Sequence, residues 1–129
     1  MWRQKIMSGT RILARYLFWP ALIFVGWGEL THSPPAFTAH FWDKSLHFTA
    51  YFGLAAMATL ALGPRRILYW ALLGLVALGG VLEIMQQLTG RDGDIFDELA
   101  NTLGVLCGAG LACGFIRLLR PLVGAAPRD

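Results

Sequence analysis

The stretch Asp43-Lys44-Ser45-Leu46-His47-Phe48-Thr49-Ala50-Tyr51-Phe52-Gly53-Leu54-Ala55-Ala56-Met57-Ala58-Thr59-Leu60-Ala61-Leu62, closed by Gly63-Pro64-Arg65-Arg66, decides the fold. Its charged and imidazole side chains crowd the first turns, two arginines stand just beyond the far end, and the run between them is apolar. About 20 residues of helix cross a bilayer, so the run is long enough to span one. Gly63-Pro64 cannot continue a helix and marks a tight basic turn. Three more apolar runs share the chain, from about Ile12 to Leu30, Ile67 to Leu88 and Ile95 to Leu119, with short polar connections between them.

Those connections are sorted by charge. Arg3, Lys5, Arg11, Arg15, Arg65, Arg66, Arg117, Arg120 and Arg128 fall on one side of the succession of runs. The acids Glu29, Asp43, Glu83, Asp92, Asp94, Asp97 and Glu98 fall on the other side, or just inside it. Basic residues confined to alternate connections mark a multi-pass membrane protein whose basic connections are cytoplasmic. The expected fold is therefore all-α, a compact bundle of four transmembrane helices forming a single unit over residues 1–129. Both termini are expected in the cytoplasm, with the loops around Pro34 and Gly93 outside.

Composition agrees. Of 129 residues, 56% are hydrophobic and only 15% charged, against roughly 25% charged in soluble domains. The net charge of +3 does not indicate nucleic acid, because the basic residues sit at the ends of apolar runs and no aromatic-interleaved basic patch exists. No A-x-A-type cleavage site follows the first run, and Trp19-Pro20 and Trp27 are poor signal-peptide material, so an uncleaved span is expected. Ser33-Pro34-Pro35 excludes a regular helix in the first outer loop. Cys107 and Cys113 lie six residues apart on one helix, roughly 9 Å between Cα atoms, too far for a disulfide. Gly104, Gly108 and Ala112 recur at four-residue intervals and favour close helix packing, within the chain first and between copies in a homo-oligomer second.

Polar residues inside the runs carry the functional signal. Asp43, His47 and Tyr51 follow one another at four-residue steps and share a helix face. Glu83 and Gln86 stand near the outer end of the third run, with Gln87 beside them. Asp94, Asp97 and Asn101 form a stripe at the start of the fourth. Three helices thus each point a polar stripe inward at one depth, and an ionisable group at that depth is costly unless paired, hence a functional-site hypothesis. Asp94 alone reads as a helix cap. The candidate ligand-binding residues are Asp43, Lys44, His47, Tyr51, Glu83, Gln86, Arg91, Asp97 and Asn101. Expected pairings are Lys44 with a carboxylate of the third or fourth helix and Arg91 with Asp94 or Asp97, around a pocket among helices two, three and four.

The same residues carry a family resemblance. Asp43-Lys44, His47-Phe48 and Tyr51 resemble the D-K-x-x-H-F-x-x-Y motif of the VanZ-like family. Glu83-Ile84-Met85-Gln86, then Arg91, Asp97, Asn101, Gly104 and Gly108, resemble its second block, E-x-x-Q…R…D-x-x-x-N-x-x-G-x-x-x-G. The outer loop Gly90-Arg91-Asp92-Gly93-Asp94 is more acidic than a minimal version of that motif requires. The resemblance implies a small multi-pass protein of the bacterial cytoplasmic membrane with a role at the cell envelope, the family being named for a member linked to resistance to the glycopeptide teicoplanin.

Three classes of function stay open at this point. The first is a binding protein whose outer face engages membrane lipids and an amphiphilic envelope molecule, such as a lipid-linked intermediate or a glycopeptide. The second is a membrane-embedded acid–base or metal-dependent enzyme acting on a lipid-linked substrate, for which His47, Glu83 and Asp97 are weak metal-ligand candidates. No nucleophile motif or established metal-ligand spacing supports it, and no cofactor is expected. The third is a subunit of a small proton-coupled transporter.

Overall fold

The structure is a computed structural model that describes residues 2–31, 40–89 and 94–120. Four helices follow in chain order: α1 (Trp2–Leu30), α2 (His40–Leu62), α3 (Arg66–Leu88) and α4 (Ile95–Leu119). Three of them begin or end within a few residues of the apolar runs. The departure is α1, which starts at Trp2 instead of near Ile12. Its polar leader holds no proline, and the Ser8 and Thr10 hydroxyls fold back onto the carbonyls of Lys5 and Met7 at 3.0 and 3.1 Å, so helix geometry continues through residues that carry no apolar periodicity.

Successive helices run in opposite directions. The start of α2 meets the start of α4, where Lys44 reaches Asp94 and Asp97. The ends of α1 and α3 arrive at the same place, with Gln86 donating to the Glu29 carbonyl at 2.7 Å. At the opposite end α2 turns into α3 through Gly63, whose φ of +70° suits a residue without Cβ and whose N–H bonds Thr59 O at 2.8 Å.

The tightest packing joins α2 to α4. A Cβ on Gly104 would strike the Phe48 carbonyl oxygen and stand 3.0 Å from the Phe52 nitrogen. One on Gly108 would strike the Phe52 carbonyl oxygen and stand 3.0 Å from its Cα. Only glycine admits a neighbouring backbone this close. Ala112 continues the row and is buried. Around this seam Tyr51, Leu54, Ala55, Leu75, Val105 and Ala109 form the core, with Phe18, Leu22 and Val25 of α1 laid against it.

Asp43–Leu62, Arg66–Leu88 and Ile95–Leu119 are each long and apolar enough to cross a membrane. Their most apolar windows bury only 39%, 28% and 33% inside the bundle, so most of that apolar surface faces outward, as lipid requires and water does not allow. The first run is not among these three, because Arg15, Tyr16, Trp19, Pro20 and Glu29 dilute its apolar character. Both cysteines are free.

Candidate functional site

Polar side chains from all four helices meet at the end of the bundle where α2 and α4 begin. Asp94 caps α4: its backbone is extended, its Oδ1 accepts from the Phe96 N–H at 2.9 Å, and the 25-residue helix proceeds from there. Its Oδ2 also takes Lys44 Nζ at 2.5 Å, and Lys44 reaches Asp97 Oδ1 at 3.1 Å. One cation thereby ties the first turn of α2 to the first turn of α4. The pair is partly wet, with Lys44 28% and Asp97 8% exposed at the side chain.

One turn deeper, His47 Nδ1 lies 3.1 Å from Asn101 Oδ1. Asn101 Nδ2 donates to Glu98 Oε2 at 3.3 Å, which turns the amide oxygen toward the imidazole and makes Nδ1–H the donor of that contact. The same Nδ1 stands 3.5 Å from Glu29 Oε1, and the Tyr51 hydroxyl donates to Glu29 Oε2 at 3.5 Å. Thr102 closes the chain by donating to Glu98 Oε1 at 3.4 Å. His47, Tyr51, Gln86, Asp97 and Asn101 are all buried. Glu83 is buried too, at 6% exposure, and its Oε1 has no hydrogen-bond partner among the described residues.

The structure thus brings Asp43, Lys44, His47, Tyr51, Glu83, Gln86, Asp97 and Asn101 into one neighbourhood. Arg91 lies outside the described residues. Glu83 pairs with neither Lys44 nor a second cation among the described residues. Asp43, His47 and Asp97 each present one ligand atom within 4.8 Å of the others, a grouping that could hold a metal ion. Of the three weak metal candidates, His47 and Asp97 belong to this group, together with Asp43.

Three participants escape a reading of the sequence. Glu29 looks like a marker of the outer side, yet its carboxylate receives both His47 and Tyr51. Its position as the one acid of α1, near the helix end, was the available signal. Glu98 anchors Asn101. Gly79 makes room for both, since a Cβ there would stand 2.6 Å from Glu98 Oε2, 3.0 Å from Asn101 Nδ2 and 3.3 Å from the Tyr51 hydroxyl.

A cleft of about 250 Å³ among the described residues is lined by α1 and α2, with Gln86 of α3 at its back. Phe24, Val25, Gly28, Leu46 and Ala50 make it apolar along its length, and Glu29, Asp43, His47 and Gln86 make it polar at one end.

None of the curated proteins and none of the solved structures matches the chain. A family model described as VanZ/LLP1 matches residues 4–119, a stretch that takes in nearly all of α1 and the whole of α2, α3 and α4. Both motif blocks, and every side chain of the polar end described above, fall inside that match, and the chain belongs to the VanZ-like family of membrane proteins.

Proposed function

We propose that this protein crosses the bacterial cytoplasmic membrane four times, with both termini in the cytoplasm, and binds an amphiphilic envelope molecule from its outer face. The apolar part of the ligand lies along Phe24, Val25, Leu46 and Ala50, and its polar part meets Glu29, Asp43, His47 and Gln86. The observation that carries this reading is the cleft itself, about 250 Å³ of largely apolar space ending on polar groups, of which His47 and Gln86 are buried. Binding sites for small molecules are mostly apolar with a few convergent polar groups, and here the two are segregated along the axis of the cleft as in an amphiphile. A lipid-linked intermediate or a lipoglycopeptide has that form, which connects the cleft to an envelope role and to glycopeptide susceptibility.

The first span needs its own support, being the least apolar. It is 29 residues long, roughly 44 Å at 1.5 Å per residue, more than a hydrocarbon core of about 30 Å. Phe24, Ile23 and Trp27 stand exposed on it at 68%, 70% and 65%, where lipid would cover them. With Cys107 and Cys113 replaced, Thr31→Cys should react with an impermeant thiol reagent in intact cells. Labelling only after lysis overturns the topology.

The test of binding is native mass spectrometry of the detergent-purified protein. A Cβ at Gly28 meets no atom within 4 Å, so Gly28→Leu fills the cleft without a backbone clash. A co-purified envelope lipid should be present on the wild type and lost from Gly28→Leu. Equal lipid on both, or none on the wild type, overturns the reading.

A further inference from the structure

We infer that Asp43, His47 and Asp97 form a site for one divalent transition-metal ion at the polar end of the cleft. The inference rests on that end being the ligand-facing part of the protein. Asp43 and His47 stand one turn apart on α2, and Asp97 faces them from α4, so two helices supply one nitrogen and two carboxylate oxygens. Ligand atoms 2.0–2.2 Å from one metal are at most about 4.4 Å apart. A group already gathered within 4.8 Å therefore closes on an ion by side-chain rotation of under about an ångström. Two carboxylates and an imidazole suit manganese, iron or zinc and leave coordination positions open for a ligand.

What surrounds the three residues fits the same chemistry. Metal-bound histidines nearly always donate the other ring N–H to a carboxylate or carbonyl oxygen, which fixes the ring and its tautomer. Here Nδ1–H is shared between Asn101 Oδ1 at 3.1 Å and Glu29 Oε1 at 3.5 Å, so Nε2 is the ligand nitrogen. Lys44 touches Asp97 through Oδ1, so Oδ2 is the oxygen offered to the ion. The close approach at Gly104 and Gly108 holds the two contributing helices in fixed register, the kind of backing a metal centre requires.

A second, independent observation points to a cation. Glu83 is buried at 6% exposure; the Asp94 backbone N–H donates to its carboxylate, Oε1 has no partner among the described residues, and Asp97 and His47 lie within electrostatic reach. Among the described residues, the carboxylates of Asp43, Glu83 and Asp97 lie within electrostatic reach of His47 or of one another, and Lys44 bridges Asp97 to Asp94. A buried carboxylate without a countercharge is unfavourable by several kcal/mol. A dication beside Asp97 supplies the missing charge. It also offsets part of the negative charge that would otherwise repel a phosphate-bearing head group.

The full-length protein in detergent, stripped with EDTA, is titrated with Zn²⁺ and with Mn²⁺ by calorimetry, and bound Mn²⁺ is examined by pulsed electron paramagnetic resonance. One ion per chain is expected, with nitrogen coupling to Mn²⁺ that disappears in His47→Gln. Asp43→Asn should lose binding while its circular dichroism and elution volume stay those of the wild type. Glu29→Gln, which removes the charge that supports the His47 ring, should weaken binding about 10-fold or more. Gly28→Leu should keep the metal. Absence of stoichiometric metal, or unchanged affinity in both Asp43→Asn and His47→Gln, overturns the site. Lipid without metal on the wild type refutes this inference and leaves the cleft standing; metal without lipid does the reverse.

Discussion

Along the seam between α2 and α4, glycine replaces side chain and the two backbones touch, at Gly104 against Phe48 and at Gly108 against Phe52. Where α1 lies on the bundle, packing is of another kind. Ala14 is its one buried residue among those described, and Phe18, Leu22 and Val25 rest half-buried against the core. Each region nevertheless contributes to the same polar end, the seam through Lys44, His47, Asp97 and Asn101, and α1 through Glu29. The difference teaches how rigidity is distributed. The residues that need a fixed mutual geometry come from helices locked by backbone contact. The wall of the cleft comes from a helix packed through side chains, which rotate and set its distance.

The comparison breaks first at Gly108. Gly108→Leu places branched carbon where the Phe52 carbonyl now stands. Overpacking costs about 1–3 kcal/mol when side chains can yield, and here the neighbour is backbone, which cannot. The variant should fail to give a monodisperse peak in size-exclusion chromatography, and a normal peak would show that the seam is pliable.

The next effect is electrostatic. Lys44→Met leaves Asp94 and Asp97 facing each other without the cation between them. Losing such charge-assisted contacts costs about 1–3 kcal/mol, and the partial exposure of this pair puts the expected loss toward the lower end. Heating detergent-solubilised samples and following the folded fraction measures it. The double variant Lys44→Met with Asp97→Asn should recover part of the loss, and strict additivity would mean that the ion pair is not what couples the two helices.

The smallest effect is expected on α1. A Cβ at Gly26 meets nothing within 4 Å, so Gly26→Leu should leave thermal stability within about 0.5 kcal/mol of the wild type. Destabilisation comparable to Gly108→Leu would remove the contrast between the two regions altogether.

Much of this was legible in the residues. Run length and the Gly63-Pro64 turn locate α2 and α3 because a membrane-length apolar stretch leaves little freedom in where a helix ends. The four-residue spacing of Asp43, His47 and Tyr51 places them on one face because helix geometry is local. Glu29 was opaque for the opposite reason. A single acid near a helix end carries no periodicity, and its contacts exist only because α1 docks beside α2. The cleft was opaque as well, since its position depends on how α1 docks beside α2. Gly104 and Gly108 announce a close approach without naming the partner. The helical leader from Trp2 was hidden because it is held by backbone hydrogen bonds, to which hydrophobic patterning is blind.

The pairing of α2 with α4 skips the helix between them in the chain, and this has a consequence for biogenesis. A ribosome delivers α2 to the membrane before α4 has been synthesised. Lys44, His47 and Asp43 therefore enter the bilayer boundary ahead of Asp94, Asp97 and Asn101, the groups that later satisfy two of them. Until then α2 must be sheltered by the insertion machinery or held near the aqueous surface, with Glu29 of the already finished α1 as its available partner. The acid contributed by the loosely packed helix is thus also the first countercharge that His47 meets, and the site is completed only when the last helix arrives.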